Sequence, residues 1–314
     1  MQGEHKIVFV TGANGRLGSR LCATLVNAGY EVRALVLSKE TAKSLPVGVV
    51  PFVGSLDDLQ VLYDACDGAD LVIHTAALVS SGGKVADIKH VNVDGTAHLL
   101  DACAKGSCRR MVFSSSIDVY GSKRNGVITE YTKPKPNDKY GYSKLMAEQE
   151  IINSGIAYVI FRIATIYGPG FEKSFFKVFK AVAQNKMSIV GNGSNHLAIV
   201  HINDVLNAYS LAMSNDAVNN IYNLSDGVAY TQEGLIDTAA DLLHVERPKN
   251  HVSAALVAFL AKRYGLDSDE LRFLTSDRII DISKIRSVLG FEPSITIKAG
   301  GAELVNMFLN KELI

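Results

Sequence analysis

Short apolar runs rich in β-branched residues alternate with longer amphipathic segments through the first half of the chain. The runs predict strands near residues 6–11, 31–36, 49–53, 70–74, 110–115 and 157–161, with helices between them. Two of the runs, at 7–10 and 71–73, are apolar without interruption, as expected for strands that are buried on both faces. The alternation therefore predicts an α/β fold with a doubly wound parallel sheet.

The pattern loosens in the second half of the chain. Amphipathic segments predict helices at 173–185, 203–214, 231–243, 252–264 and 298–310, and strand-like stretches are short, as at 221–224. We therefore predict two domains. Residues 1–165 form the sheet domain, and residues 166–314 form a smaller, mainly helical C-terminal lobe with some chain crossing back to the sheet. Because no Pro-, Gly- or Ser-rich linker separates them, we expect close packing around a substrate cleft.

Composition and charge exclude several classes of protein. Of 314 residues, 47% are hydrophobic, so a sizeable core can be buried. Lys plus Arg and Asp plus Glu each number 32, so the basic excess typical of nucleic-acid or acidic-membrane binding is missing. The first strand begins too early to leave room for a signal segment, and residues 252–261 are too few to span a bilayer. We expect a cytoplasmic protein with no nucleic-acid or membrane partner.

The cysteines agree with that location. Cys22, Cys66, Cys103 and Cys108 lie in helix-like or helix-end sequence and form no CxxC pair. Neither a disulfide framework nor a metal site is therefore expected.

A glycine-rich loop follows the first buried strand. Residues 11–18 read Thr-Gly-Ala-Asn-Gly-Arg-Leu-Gly and open a predicted helix that runs to about Asn27. Gly12 and Gly15 let the backbone turn towards a diphosphate, Gly18 lets the helix pack closely on the strand, and the helix N-terminus offers N–H groups to the anion. Strand, loop and helix in this order predict dinucleotide binding on a Rossmann-type sheet. The predicted cofactor-binding residues are Gly12, Asn14, Gly15, Arg16, Leu17 and Gly18.

The end of the second predicted strand bears on which cofactor is bound. An acidic residue at this position would pair with the adenosine 2′-hydroxyl and repel a 2′-phosphate, but the sequence has Leu37, Ser38 and Lys39. Ser38, Lys39 and Arg16 can all reach a phosphate. The pattern therefore favours NADP over NAD.

Tyr140 and Lys144 lie four residues apart at the start of a predicted helix at 140–154, so they point to the same side. A free phenol has a pKa of about 10, and a neighbouring ammonium and the positive nicotinamide both stabilise the phenolate. Lys144 would thus prepare Tyr140 for acid–base chemistry. A Tyr–Lys pair at this spacing is common on inert helix surfaces, but this pair follows a strand that ends in three serines, at 114–116.

Together these motifs resemble the extended short-chain dehydrogenase/reductase family, which contains NAD-dependent epimerases and dehydratases. The resemblance covers nearly the whole chain and includes residues 74–77, 92–96 and 167–169. It implies that Ser116 binds the substrate oxygen, that Tyr140 donates the proton and that Lys144 holds the nicotinamide ribose.

The resemblance also implies further cofactor contacts. Ala76 and Ala77 would leave space for the nicotinamide half, and Ser55 and Leu56 would lie against adenine, although the family more often has Asp at the position of Ser55. Ile163 is predicted to contact the cofactor as well. Two landmarks stay outside the catalytic set. Asn92 either joins a proton relay or satisfies backbone groups, and His201 and Asp204 suit a strand end that leads into a helix cap.

Departures from the subfamily patterns narrow the reaction. Sugar dehydratases resemble one another in having Asp-Glu directly after the catalytic Ser or Thr, whereas Ile117 and Asp118 follow Ser116. Where nucleotide-sugar epimerases commonly have Asn and Arg, this chain has Thr165 and Leu197. A buried diphosphate would then lose charge-assisted hydrogen bonds, unless His196 or Lys173 replaced them.

Residues 32–34, 72–77 and 115–119 instead resemble the 3β-hydroxysteroid dehydrogenase and dihydroflavonol reductase branch. Reductases of this branch often have Arg where this chain has Leu37, so their cofactor choice does not transfer. The leading hypothesis is an NAD(P)-dependent oxidoreductase that transfers hydride between nicotinamide and a ketone or secondary alcohol of a small, rather apolar substrate. The alternatives are a nucleotide-sugar epimerase with retained NAD and a non-catalytic NADP sensor. Relatives also pair the helices near 86–105 and 140–154, which predicts a homodimer.

Overall fold

The computed structural model describes residues 6–79, 85–106, 108–213, 218–257, 259 and 274–314. They form two compact units. The sheet unit comprises Met1–Val119, Pro134–Arg162 and Ala208–Tyr222, and the second unit comprises Tyr120–Lys133, Ile163–Asn207 and Asn223–Ile314. The chain thus passes more than once from one unit to the other.

The strands and helices are numbered in chain order. The strands are β1 (Ile7–Thr11), β2 (Glu31–Val36), β3 (Val49–Val53), β4 (Leu71–His74), β5 (Arg110–Ser116), β6 (Lys123–Ile128), β7 (Ala157–Ile163), β8 (Thr165–Tyr167), β9 (Ile189–Val190), β10 (His196–Leu197), β11 (Ile199–His201), β12 (Asn220–Leu224), β13 (Tyr230–Thr231), β14 (His251–Val252) and β15 (Asp277–Ile280). The helices are α1 (Arg16–Asn27), α2 (Lys39–Ala42), α3 (Leu59–Cys66), α4 (Val85–Lys89), α5 (Gly95–Lys105), α6 (Lys139–Asn153), α7 (Lys173–Ala183), α8 (Ile202–Ala212), α9 (Gln232–Leu243), α10 (Ser283–Leu289) and α11 (Ile297–Asn310).

A seven-stranded sheet in the order β12-β7-β5-β4-β1-β2-β3 organises the first unit. The pairs β1–β2, β1–β4, β2–β3 and β4–β5 are all parallel. Strand β4 is buried along its whole length, which explains its uninterrupted apolar run. The predicted fold class is confirmed. The order changes direction between β1 and β4, and in open sheets of this kind the crevice at such a point receives ligands.

Helices cover the sheet because each presents an apolar stripe to it. On α1, Leu21, Cys22 and Leu25 are buried. Helices α3 and α5 pack against each other, as do α5 and α6, and the core beneath them includes Phe9, Leu62 and Leu99. Burying each large apolar side chain of this kind contributes about 1.5–3 kcal/mol relative to leaving it exposed.

The second unit has its own core, in which α7, α9 and α11 pack together around aromatic side chains such as Phe179 and Phe308. Of the helices predicted for the second half of the chain, four are present with ends shifted by one or two residues. The fifth, at 252–264, falls largely outside the described residues. Strands β6 and β15 pair in parallel, although the sequence did not predict them. Strand β6 contains Lys, Arg, Asn and Gly and lacks an apolar run, so its pattern gave no signal.

The predicted helix at 86–105 is present as α4 and α5, but a π-helical turn at His90–Asp94 joins them. Such wider turns often occur at functional sites. Within the described ranges, no helix is both long and apolar enough to cross a membrane.

Candidate cofactor and catalytic site

The loop between β1 and α1 accepts only glycine at two positions. Gly12 has a φ of +68°, and a Cβ there would lie 2.6 Å from the backbone nitrogen of Ala76. A Cβ on Gly18 would collide with the carbonyl oxygen of Gly12. The sequence pattern predicted that Gly18 lets the helix pack against the strand. Its closest neighbours are instead the backbone atoms of Gly12 and Ala13, so the glycine brings the helix against the loop.

The N-terminus of α1 fits an anionic group. Gly15 precedes the helix, no side chain caps it, and its first turn carries no acidic residue. The first N–H groups of a helix have no partner inside the helix, and the helix dipole attracts negative charge to them. This part of the site therefore fits the diphosphate of a dinucleotide.

A cavity of about 320 Å³ opens beside this loop, where β1 to β4 end. Several predicted cofactor residues line it: Gly12, Asn14, Gly15, Ser55, Leu56, Ala76 and Ala77. The lining also includes Leu37, which the sequence pattern placed beside the adenosine ribose, and residues that the pattern did not indicate: Leu35, Val36, Gly54, Asp57, Thr75, Leu78 and Val91. The lining is mostly apolar, as a pocket for adenosine would be.

Other predicted cofactor residues lie beyond this lining. Arg16, Leu17 and Gly18 form the first turn of α1, and Lys39 is an exposed residue at the start of α2. The Ser38 hydroxyl accepts a hydrogen bond of 3.2 Å from the backbone nitrogen of Thr41, which caps α2. Ile163 is the last residue of β7 and belongs to the second unit.

One carboxylate in the cavity lining was missed. Asp57 follows β3, and its Oδ2 lies 3.0 Å from Nε2 of His90. Its Oδ1 lies 3.5 Å from Nδ1 of His98. A lone Asp in a polar loop carries no signal for cofactor binding in the sequence.

The fully buried imidazole of His74 connects the glycine-rich loop to the helices beneath it. Thr96 donates its hydroxyl proton to the carbonyl oxygen of Asn92 at 2.7 Å, so it accepts from Nε2 of His74 at 2.9 Å. Nδ1 of His74 then accepts from the Thr11 hydroxyl at 2.6 Å. Burial first, and the charge of Lys144 second, lower the pKa of His74 to about 3. The imidazole is therefore neutral and fixed in one tautomer.

The π-helical turn places the side chain of Asn92. Its Oδ1 accepts from the backbone nitrogen of Leu78 at 2.7 Å, and its Nδ2 donates to the carbonyl oxygen of Leu78 and to the hydroxyl of Ser143. Ser143 in turn donates to the carbonyl oxygen of Tyr140 at 2.8 Å. Of the two roles left open for the Asn92 side chain, the geometry favours the structural one, because its amide atoms join a loop to α6.

Helix α6 carries Tyr140 and Lys144 one turn apart. Asp138 caps the helix by accepting from the backbone nitrogen of Gly141 at 2.9 Å. The Lys144 ammonium lies 5.7 Å from the centre of the half-buried Tyr140 ring. The same ammonium lies 4.6 Å from the centre of the Phe113 ring on β5.

Burial controls the charge of Lys144, whose side chain is almost fully enclosed. Desolvation lowers the pKa of Lys144 to about 7, and the carboxylate of Glu148 opposes that effect. The ammonium donates a hydrogen bond of 2.8 Å to the carbonyl oxygen of Ser114.

Ser116 closes β5 and is half-buried. Its hydroxyl oxygen accepts from the backbone nitrogen of Asp118 at 3.1 Å, which leaves its proton for another acceptor. A Cβ on Gly141 would lie 2.5 Å from the carbonyl oxygen of Asp118. The first turn of α6 therefore lies directly against the segment that follows Ser116, so the structure brings Ser116, Tyr140 and Lys144 into one region.

The sequence profile of the NAD dependent epimerase/dehydratase family matches residues 8–225. The chain belongs to this family. Its members are NAD-dependent dehydrogenases, reductases and epimerases, so the predicted class of enzyme is confirmed.

Similar proteins within the family differ in substrate. The chain is 30% identical to a 4-hydroxy-2-methyl-3-oxo-4-farnesyl-3,4-dihydroquinoline-1-oxide ketoreductase of Stigmatella aurantiaca, over 70% of this chain and 68% of that protein. It is 26% identical to a 3 beta-hydroxysteroid dehydrogenase/Delta 5→4-isomerase of Mycobacterium tuberculosis, over 96% of this chain and 90% of that protein. The chain is 27% identical in sequence to MoeE5, whose solved structure in complex with UDP-glucose and NAD matches with a TM-score of 0.79. The match covers 98% of this chain and 99% of MoeE5.

In this member of the epimerase/dehydratase family, the side chains of Asp204 and His201 form hydrogen bonds that hold parts of the second unit together. Asp204 accepts hydrogen bonds from the backbone nitrogens of Ser294 and Ile295 and from the Ser294 hydroxyl. Asp204 therefore holds that loop. The expected strand end leading into a helix cap is present at His201, the last residue of β11, whose Nδ1 accepts a hydrogen bond of 3.3 Å from the backbone nitrogen of Asn203. His201 is fully buried, and its Nε2 lies 3.2 Å from Glu303.

A buried ion pair that the sequence did not predict lies beside the helix that carries Tyr140 and Lys144. Glu148 on α6 and Arg162 on β7 are both almost fully enclosed and lie 2.7 Å apart. Glu148 follows Lys144 by four residues, so its position on the same helix face was a usable signal. Nothing in the sequence showed that an arginine from another strand would meet it.

Proposed function

We propose that this protein is an NADPH-dependent reductase that interconverts a ketone and a secondary alcohol on a small, rather apolar substrate. The observation that carries the proposal is the position of the buried Lys144 ammonium. It lies 5.7 Å from the centre of the Tyr140 ring, next to β5, whose last residue is Ser116. A half-buried phenol next to a buried cation suits proton transfer to a substrate oxygen.

Each residue has one task in this reaction. Bound nicotinamide supplies the hydride that reduces the carbonyl carbon. Tyr140 gives its phenolic proton to the carbonyl oxygen and later regains a proton from solvent, so one hydride and one proton convert the ketone into the alcohol. Ser116 donates a hydrogen bond to the same oxygen and polarises the carbonyl. Lys144 stabilises the phenolate and holds the nicotinamide ribose.

The residues near Ser116 and in the second unit support an apolar substrate. Ile117 directly follows Ser116 and is buried, so that position has no acid for water removal. Leu197 is buried in the apolar core of the second unit and offers no charge to a diphosphate. The similar proteins include a ketoreductase named for a farnesyl-bearing dihydroquinoline oxide and a dehydrogenase named for a 3 beta-hydroxysteroid.

The end of β2 supports NADPH as the cofactor. Leu37 lines the cavity and is 72% exposed, so no carboxylate from this position repels a 2′-phosphate. Lys39 begins α2 two residues later and is exposed. Asp57 is the acidic residue in the cavity lining, and two histidines lie against it.

A nucleotide-sugar epimerase with retained NAD is the second candidate. The likeness to the MoeE5 complex with UDP-glucose and NAD, over nearly the full length of both chains, supports it. An epimerase returns the hydride to its substrate, so it would keep its cofactor and show no net reduction.

The two candidates are distinguished by measuring cofactor consumption. The purified protein is given NADPH or NADH with aliphatic, aromatic and steroidal ketones and with UDP-glucose, and absorbance of the reduced nicotinamide is followed. Oxidation of NADPH that depends on an apolar ketone supports the reductase. Protein that is purified with bound NAD and converts UDP-glucose without net oxidation supports the epimerase and refutes the reductase.

We further propose that the protein is a homodimer in the cytoplasm. Helix α6 exposes Tyr142 and Met146, which are 55% and 39% exposed and four residues apart, and α4 exposes Val85. Apolar side chains on one helix face suit a helical interface, and four buried free thiols suit a reducing compartment. Sedimentation of the wild type as a dimer and of Met146→Glu as a monomer would support this assembly. Sedimentation of the wild type as a monomer would refute it.

A further inference from the structure

A buried ion pair lies one helical turn beyond Lys144. Arg162 donates to Oε1 of Glu148 from its Nε at 3.1 Å and to Oε2 from its Nη2 at 2.7 Å. Glu148 is 1% exposed and Arg162 is 3% exposed. The pair therefore fixes the carboxylate by two bonds in a site that excludes water.

The carboxylate also holds β5. The Ser115 hydroxyl donates to Oε1 of Glu148 at 2.5 Å. Ser115 has a functional neighbour on each side. The carbonyl oxygen of Ser114 accepts from the Lys144 ammonium, and Ser116 is the residue proposed to bind the substrate oxygen. One carboxylate thus links β5, α6 and β7 beside the proposed catalytic groups.

Stability alone does not account for this arrangement. Replacing a buried ion pair with well-packed apolar residues is often neutral or stabilising, because desolvation of the charges offsets their attraction. The Glu148 carboxylate nevertheless accepts three hydrogen bonds, from Ser115 on β5 and Arg162 on β7. These bonds set the distances between α6 and the two strands. Small displacements of catalytic groups are costly to a reaction rate even when the fold is intact.

We propose that Glu148 is a positioning residue for the reaction: anchored by Arg162, it fixes Ser115 on β5 and supports the charge of Lys144 on its own helix. Resting on the proposed function, this inference assigns Glu148 no contact with substrate or cofactor. The negative charge of Glu148 acts on Lys144, and its hydrogen bond to Ser115 fixes the position of β5 and therefore of Ser116.

The groups around the Lys144 ammonium define the expected electrostatic effect. Helix α6 supplies Tyr140 and Glu148. Strand β5 supplies the Phe113 ring and the Ser114 carbonyl, and β4 supplies the neutral imidazole of His74. Arg162 from β7 is bound to Glu148. Glu148 is the group that raises the pKa of Lys144 against burial. Removing its charge should therefore shift the titration of Lys144 to lower pH.

Ser115→Ala tests the strand link, meaning the hydrogen bond between Ser115 on β5 and Glu148. The substitution removes this bond and keeps the ion pair of Glu148 with Arg162. We expect kcat to fall about tenfold, as for a small misplacement of catalytic groups, with the Kd of NADPH unchanged. Ser115→Thr keeps a hydroxyl and should restore most of kcat. The matched control is Tyr209→Phe, which removes a hydrogen bond of 2.5 Å to the neighbouring Ser114 and should leave kcat unchanged. An unchanged kcat in Ser115→Ala would overturn the strand link.

Glu148→Gln tests the charge, and the double variant Glu148→Gln/Arg162→Gln tests it without an unpaired buried guanidinium. NMR of 13C-labelled lysine, with the Lys144 signal assigned from Lys144→Met, should show a lower titration midpoint in both variants. The alkaline limb of kcat/KM should move in the same direction. An unchanged Lys144 midpoint in the double variant would overturn the inference.

These readouts also separate this inference from the proposed function. If the wild type reduces no ketone, the proposed function fails, while the NMR titration still tests the link between Glu148 and Lys144. If the wild type turns over and only Tyr140→Phe is inactive, the proposed function stands and the positioning role fails.

Discussion

The Lys144 ammonium donates a hydrogen bond of 2.8 Å to the backbone carbonyl oxygen of Ser114. The bond joins the helix that carries Tyr140 to the strand that carries Ser116. It also supplies a neutral acceptor to a cation that is removed from water, and burial still lowers the pKa of Lys144 to about 7. The position and the protonation of this side chain therefore depend on the same packing.

Tyr140→Phe should remove most of the turnover and leave cofactor binding intact. The substitution removes only the hydroxyl and keeps the ring near Lys144. General acid catalysis typically contributes about 10²–10⁴-fold to a rate, so a loss of that order is expected. Ketone-dependent oxidation of NADPH measures turnover, and quenching of NADPH fluorescence measures affinity. A variant that keeps wild-type kcat would show that the proton comes from another group.

Lys144→Met should change how stability depends on pH. The pKa of Lys144 is about 7 in the folded protein and 10.5 for an ordinary lysine, so the unfolded chain binds more protons between these values. Wild-type stability should therefore rise by several kcal/mol from about pH 7 towards pH 10 through this group. The variant lacks this contribution, so it should be the more stable protein at pH 7, and the difference should shrink at higher pH. Urea unfolding at a series of pH values measures both curves, and parallel curves would contradict the shifted pKa.

Leu37→Asp should weaken the preference for NADPH. Leu37 is exposed at the end of β2, so the fold should tolerate the change. Two like charges about 4 Å apart in water repel by about 1 kcal/mol, so the ratio of kcat/KM for NADPH to that for NADH should fall about fivefold or more. Leu37→Asn is the matched control, because it is nearly isosteric with Asp but carries no charge. An equal effect in both variants would rule out charge as the cause.

Gly18→Ala should impair cofactor binding and folding together. The added methyl group would collide with the Gly12 carbonyl and displace the loop or the start of α1. Forcing one extra methyl group into such a site typically costs about 1–3 kcal/mol. Ser19→Ala, the next residue of the same helix, is the control and should change little. Thermal unfolding and NADPH titration measure the two effects, and wild-type values for Gly18→Ala would contradict the close contact.

Asp226→Asn should stabilise the protein near neutral pH. Burial raises the pKa of Asp226 to about 6 from an ordinary 3.8, so the folded state holds a proton that the unfolded chain releases first. This group therefore costs stability as the pH rises from about 4 to 6, and the cost persists above pH 6. Asn can keep the 3.0 Å bond from the Val228 nitrogen and should gain about 3 kcal/mol at pH 8. The gain should vanish near pH 4 in denaturant unfolding, and a gain independent of pH would contradict the shifted pKa.

Much of the sheet could be predicted from its sequence. Strands such as β4 are buried on both faces, and that burial requires apolar residues at successive positions. Among the described residues, strand β6 pairs with β15, and it contains polar residues and Gly126, so its partner, and not its own composition, makes it a strand. The turn at His90–Asp94 was missed for a similar reason, since the bonds that occupy Asn92 come from Leu78 and Ser143.

The sequence by itself determined the sheet, the glycine-rich loop and the spacing that puts Tyr140 and Lys144 on one helix face, because these depend on residues that are close along the chain. Only the tertiary structure decided the lining of the cavity by Asp57 and the pairing of Glu148 with Arg162. It also decided the charge of Lys144. Desolvation and hydrogen bonding depend on which distant residues surround a group, and a linear pattern does not record those neighbours.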